Sequence, residues 1–535
     1  MYQKHRQMVC TRTLSLFLIF SIPSLAHAET CAGNEESHVA IKTNDIFDLD
    51  DPGTFWLHKL ANTLHVITKP DTISNEIAFM NEKCVVSERD LQEVERHLRK
   101  LKYINTASVV RDDKGLISVT TSDKWSLMPT INFGRKGGQN KFSSGLKDRN
   151  LLGYGIDTEM EYFKDVQRSG YNLNIQFPLF TNNNIQGSVT LSDTDDGSAQ
   201  GISIARPFVS LNTNNAFFLS AYSGDLRQQY FLNGKNYFSV AYSDKQANAW
   251  WGKRYSRDET SVIRYILGVD YEKKTFGDIE VSDTALKLPL PEDREYFTPF
   301  FELEYIEDDF RELSNVHVIN QIEDFNMGWH FQTWFGVNIA ERKNNESLYV
   351  ARFSAGKGTQ FTPTTLLLSD VSLLTNFGST SRSRAVLNVN NEIFHRLSEQ
   401  FGLYGSQHFT YSNGQFADLP VVIGEENGVR GYALEFQRGS SSAAFTGELR
   451  YYPNISIYNL FELGAAAFID TGKAFGTSEF APQTDQWLSS AGIGARLYSR
   501  HASDTKVIHF DMSFPMLSHE NVNNVEFLIT TKSSF

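Results

Sequence analysis

A chain of 535 residues with formal net charge −13 and a pI near 5.5 lacks the excess of Lys and Arg that a phosphate-binding surface needs, which sets nucleic acid aside as a partner. Its mean hydropathy of −0.34 is too polar for a bundle of membrane helices, although it carries 40 Phe and 22 Tyr. That combination suits a membrane barrel, whose strands alternate lipid-facing and lumen-facing side chains and average to a soluble-looking composition.

Residues 1–28 read as a secretory signal: a basic start (Lys4, His5, Arg6, Arg12), an apolar stretch from Leu14 to Ile22, then Ala26-His27-Ala28 before the cut. The chain beyond it has no unbroken apolar run of the roughly 18 residues a membrane helix requires. Cys10 leaves with the signal. Cys31 and Cys84 remain as a candidate disulfide in an oxidising compartment, or as two free thiols. Residues 29–60 are polar and acidic and read as a linker ending in a short amphipathic piece around Phe55, Trp56, Leu57 and Leu60.

Residues 61–122 form a compact α+β block. Leu64–Lys69 has strand composition and Ile73–Lys83 reads as a short helix. Ser87 three residues before Asp90 makes a capping box, and Leu91, Val94, Leu98 and Leu101 recur at helical spacing up to Lys102. Two short strands follow, Ala107–Arg111 and Leu116–Thr121, joined by the turn Asp112-Asp113-Lys114-Gly115.

From Leu127 onward the period changes to two. Ile263, Tyr265, Leu267, Val269 and Tyr271 alternate with polar neighbours, as do Phe297, Phe301, Leu303 and Tyr305, and Ile508, Phe510, Met512 and Phe514. A soluble sandwich also alternates. A run of strands this long, with aromatics crowded near strand ends, fits a membrane barrel better. Between about sixteen and twenty strands can be marked after Leu127. The expected fold is mainly β: a transmembrane antiparallel barrel over 123–535 behind a small α+β domain. The expected place is a bacterial outer membrane with that domain in the periplasm. The chain ends on Phe535.

No catalytic or metal-binding set stands out: there is no His-Glu-x-x-His and no Gly-x-Ser-x-Gly, and no cofactor is expected. One constellation is unusual. Gly424-Glu425-Glu426-Asn427-Gly428-Val429-Arg430-Gly431-Tyr432 is a loop with three glycines around one arginine, and Phe468-Ile469-Asp470-Thr471-Gly472 places an aspartate on a strand downstream. An arginine carried into a lumen needs a carboxylate, and a guanidinium–carboxylate fork is the strongest pair available. On pattern alone an ordinary surface loop with a solvated Arg430 stands beside that reading.

The loop resembles the Val-Arg-Gly-Tyr/Phe motif of the BamA/TamA and two-partner-secretion superfamily, also called the bacterial surface antigen family. Asp470 matches the aspartate of its Phe-x-Asp-x-Gly motif, Gly492-x-Gly494-x-Arg496 its next strand motif, and His509–Pro515 its penultimate strand. Residues 64–122 resemble its periplasmic POTRA module. The resemblance implies a barrel of about 16 strands. It implies that Gly428, Val429, Arg430, Gly431 and Tyr432 anchor a lumen loop. Phe468, Asp470, Gly472, Gly492, Gly494 and Arg496 would form the receiving wall. It also implies a role in inserting or exporting client proteins by strand addition, without covalent chemistry, at the seam between the first barrel strand (Leu127–Arg135) and the last or at the module's edge strand, Ala107–Arg111 or Leu116–Thr121. Secretion of one dedicated partner, an outer-membrane hydrolase and a passive pore remain as alternatives. Lipids and client polypeptides are the expected partners of a single-chain barrel.

Overall fold

The computed structural model describes residues 39–50, 54–82, 86–136, 139–179, 183–232, 235–281, 290–318, 321–340, 348–378, 383–458, 460–476, 485–499, 501–503, 506–532 and 534. The signal segment, the Cys31–Cys84 pairing and Phe535 therefore lie outside the described residues.

The period-two segments become antiparallel strands that close into a barrel. It has 20 strands among the described residues, not about 16; a further two-residue piece, Ser456–Ile457, only extends one ladder. The alternation sorts side chains as expected. On Phe461–Phe475 the even positions Glu462, Phe468 and Asp470 are buried on the inside while Ile469 points out at 55 % exposure. Phe301, Phe335, Ile493 and Phe510 are likewise exposed on the outer face, which gives the barrel an apolar belt suited to lipid. No helix among the described residues is long and apolar enough to cross a membrane.

Strand length varies around the barrel. Lys235–Arg257 runs 23 residues and Ser261–Val281 runs 21. Near the closure Val507–Pro515 runs nine, Glu526–Lys532 seven and Leu127–Lys136 ten. A strand needs about 9–11 residues to cross a bilayer, so the wall is tall on one side and barely membrane-high at the closure.

The small N-terminal module is a three-stranded sheet with helices on one face. Glu88–Lys100 is capped by Ser87, whose side chain accepts from the Asp90 amide while its own amide donates to Asp90 Oδ2 at 2.8 Å. Its Leu91, Val94 and Leu98 pack with Ile73, Ile104, Ile117 and Val119 into one core. The sheet corrects three expectations. Leu64–Lys69 is not a strand: Trp56–Leu64 is a helix, and the residues after it are extended but unladdered because His65 and Thr68 bind Asp123 instead. The first strand is Val39–Asn44, so the segment 29–60 is not simply a linker. Ile117–Asp123 lies between Val39–Asn44, parallel, and Ile104–Arg111, antiparallel; it is central and cannot serve as an edge, whereas Ile104–Arg111 does.

The module sits against the turns at one end of the barrel. Asn212 in the turn before Asn215–Leu232 donates to Asp90, so the capping residue also ties the helix to the barrel. Lys69 donates its amide to Gly153, and Asn150 donates to Thr68.

Candidate functional site

The loop between Phe401–Asn413 and Ser441–Tyr451 starts at the far end of the barrel and folds back onto the inner wall. Glycine makes this possible at Gly431: its φ is +88°, and a Cβ there would stand 2.8 Å from Ser513 Oγ and 2.9 Å from Pro515 Cγ. Val429 and Tyr432 are fully buried with Ile423, Phe436, Ala444 and Leu488, which pins the loop on both sides of the arginine. Tyr432 donates its hydroxyl to the Ser489 carbonyl at 2.8 Å and accepts from the Ser489 and Leu517 amides.

Between these anchors Arg430 reaches Asp470. Its Nε donates to Asp470 Oδ2 at 2.7 Å and its Nη2 to Oδ1 at 2.9 Å, a two-pronged fork. Thr446 also donates to Oδ1, and the Arg430 guanidinium lies over the Phe468 ring at 3.4 Å. Asp470 has no solvent exposure. The remaining prong, Nη1, lies 3.0 Å from Glu448 and 3.5 Å from Asp511. The structure thus brings the loop residues Gly428–Tyr432 together with Phe468, Asp470 and Gly472, where Val429 packs close to the Gly472 backbone.

Gly492, Gly494 and Arg496 sit on the next strand, Leu488–Tyr498. Arg496 does not reach Asp470; it pairs with Asp511 on Val507–Pro515. Gly494 leaves room for that pair, since a Cβ there would stand 1.8 Å from Asp511 Oδ1. Gly492 makes room for the Phe468 ring in the same way.

Several members of this network carried no motif in the sequence. Glu448 bridges Arg430 and Arg450, with Oε2 3.0 Å from Arg450 Nε. Arg450 in turn donates to the carbonyl of Val316. Val316 belongs to a hairpin, Phe310–Ser314 with Ile322–Asn326, inserted between two barrel strands at the module end. The tip of this hairpin enters the lumen, where His317 faces Glu392 and Val318 packs with Tyr498 and Val507. Its base is held by Arg99 of the module helix, which bonds Asp324 and Glu312. The lumen is therefore entered from both ends, and the two intruding segments meet through Glu448 and Arg450. Only an unusual cluster of Asp and Glu beside Phe310 hinted at this in the sequence.

The barrel closes poorly. The first strand pairs with its successor from Leu127 opposite Asp148 to Lys136 opposite Gln139. The last strand pairs with its predecessor from Val507 opposite Lys532 to Ser513 opposite Glu526. Between first and last there is one ladder pair among the described residues, Ile529 opposite Arg135. Below it, Lys532 turns toward a cavity of about 1460 Å³ that is also lined by Phe133, Ile529, Asn427 and Arg430. Among the described residues the edge of the first strand below Arg135 thus faces no ladder partner, with Ile131 and Phe133 exposed.

The chain matches no family model and no curated protein. Among solved structures, BamA from Haemophilus ducreyi lacking POTRA domains 1-3 aligns over 94 % of this chain and 85 % of its own, at 12 % identity and TM-score 0.38. CdiB from Escherichia coli aligns over 93 % and 76 %, at 10 % identity and TM-score 0.47. The FrpB iron transporter from Neisseria meningitidis aligns over 81 % and 84 %, at 8 % identity and TM-score 0.40. Scores this low do not separate one activity from another, so the functional argument rests on this chain's own residues. BamA and CdiB barrels are thus among the structural neighbours of a chain whose motifs resemble the same superfamily.

Proposed function

We propose that this protein is an outer-membrane barrel that inserts or exports client polypeptides by strand addition at its seam, with no bond made or broken. The observation that carries this reading is the closure, which among the described residues has one ladder pair, Ile529 with Arg135, and one ion pair, Arg135 with Glu526 at 3.5 Å. A strand edge without a ladder partner is a template for another chain, and main-chain hydrogen bonds supply the affinity. The short strands beside the seam lower the wall where a client would enter the bilayer. The Arg430 clamp stiffens the wall next to it, so that opening is confined to the seam. Segments entering the lumen from both ends favour this reading over a passive pore. The module edge Ile104–Arg111 offers a second place for a client in extended form.

Photoreactive side chains at positions 131 and 133 of the seam, and at Val110 on the module edge, test it in living cells. Several different outer-membrane proteins trapped at these positions would support insertion. A single trapped partner would support dedicated secretion. No polypeptide trapped at any of them would refute client handling.

A further inference from the structure

Trp56–Leu64 buries the wrong side for a helix of a soluble domain. His58 and Ala61 face inward, at 3 % and 0 % exposure, while Trp56, Leu60 and Leu64 form an outward stripe with Trp56 at 67 %. Positions four apart lie on one helix face, so the stripe is continuous. Val66 and Ile67, in the extended segment after the helix, are exposed as well. Apolar side chains this large are rarely left together in water without an occupant.

The helix has a defined place under the barrel. His58 Nε2 lies 3.1 Å from the Tyr458 carbonyl, and Phe55 packs on the Tyr458 ring at 5.3 Å. Tyr458 is in the turn before Phe461–Phe475. At the other end of the segment, Lys69 donates its amide to Gly153 and Thr72 its hydroxyl to the same carbonyl. Gly153 is in the turn after Gln139–Leu151. These two turns stand on opposite sides of the seam, one four strands away on the last-strand side and one two strands away on the first-strand side. The segment from Phe55 to Thr72 therefore crosses beneath it. Both attachment points carry an exposed apolar side chain of the barrel turns, Tyr458 and Leu152.

We propose that Trp56–Leu64, with Val66 and Ile67, is a membrane-interface anchor lying in the headgroup layer of the periplasmic leaflet on the last-strand side of the seam. The occupant of the stripe is phospholipid. The exposed apolar side chains of the two barrel turns argue for it, and so does composition: residues 54–69 carry Lys59 and Lys69 and no carboxylate, in a chain of net charge −13. Interfacial helices pair an apolar face bearing Trp with flanking cations in this way. The anchor fixes the module beside the seam and sets the lipid surface a client would meet there. The proposal rests on the barrel spanning a membrane and not on client handling.

The full chain, reconstituted in phosphatidylethanolamine–phosphatidylglycerol vesicles, carries p-benzoylphenylalanine in place of Leu60, in place of Phe510 on the outer wall, or in place of Lys114 in the exposed module turn. After irradiation, phospholipid adducts are quantified by mass. The expected result is lipid adduct at positions 60 and 510, with position 60 at least about tenfold above position 114. Lipid at 510 but not at 60, or a protein–protein adduct at 60, would overturn the anchor while leaving the membrane barrel intact. Absence of lipid at 510 would remove the membrane reading and the anchor with it.

Discussion

Removing the Arg430 side chain should damage the barrel more than removing its partner. Arg430→Ala leaves Asp470 fully buried with only Thr446 and the residue-430 amide to hydrogen-bond it, and leaves Glu448 and Asp511 short of one cation. Stranding a buried charge in this way costs roughly 3–5 kcal/mol. Asp470→Ala leaves Arg430 with Glu448 and Asp511 still in reach, so its cost falls nearer the roughly 1–3 kcal/mol of an unmet buried group. The double variant should be no worse than Arg430→Ala, because the first substitution already removes the interaction. Arg430→Lys should rescue only in part, since an ammonium cannot form the two-pronged fork. The assay is unfolding of the full barrel in detergent, followed by the shift between folded and unfolded bands on gels, with Arg311→Ala as an exposed control. Strictly additive losses from the two single variants, or an Arg430→Ala barrel as stable as the control, would refute the clamp.

The module core and its junction give two more expectations. Leu98→Asp should unfold residues 39–123 and expose them to protease while the barrel keeps its gel shift, since an unpaired buried carboxylate costs several kcal/mol; a protease-resistant module would contradict this. Burial pushes the Lys124 ammonium down to about 8, against 10.5 for the unfolded chain. The unfolded state therefore holds the extra proton between these values, and the junction gains stability as pH rises through that window and lacks it below pH 8. Lys124→Met should flatten that rise and add up to about 3 kcal/mol at neutral pH, read from the thermal midpoint of protease resistance from pH 7 to 10.

The parts legible in the sequence are those whose physics is local. Period-two alternation identifies the barrel wall, and Ser87 with Asp90 identifies the start of the module helix, because each signal is complete within a few residues. Arg430 and Asp470 stand 40 residues apart and are joined only through the motif resemblance, which the geometry matches. What escaped depends on distant neighbours. Val39–Asn44 is a strand because Ile117–Asp123 is beside it, and Leu64–Lys69, with better strand composition, is not because Asp123 claims His65 and Thr68. The count of 20 strands among the described residues is the upper end of what the alternation marks and exceeds the about 16 that the resemblance implies. The lumen hairpin at Phe310–Asn326 is held by Arg99 and Arg450, more than 100 residues away on either side, and the acidic cluster beside Phe310 calls for cations without saying which.

The central claim is that the seam opens for a client. Ile529→Cys with Arg135→Cys, in a chain whose Cys31 and Cys84 are replaced by serine, places a disulfide across the one ladder pair that closes the barrel. Under oxidising conditions the locked protein should fail like its complete absence, read as the levels of outer-membrane and secreted proteins in the producing cell. Reductant should restore them, and each single variant should behave as wild type. A locked seam that supports full levels of every such protein would contradict the account.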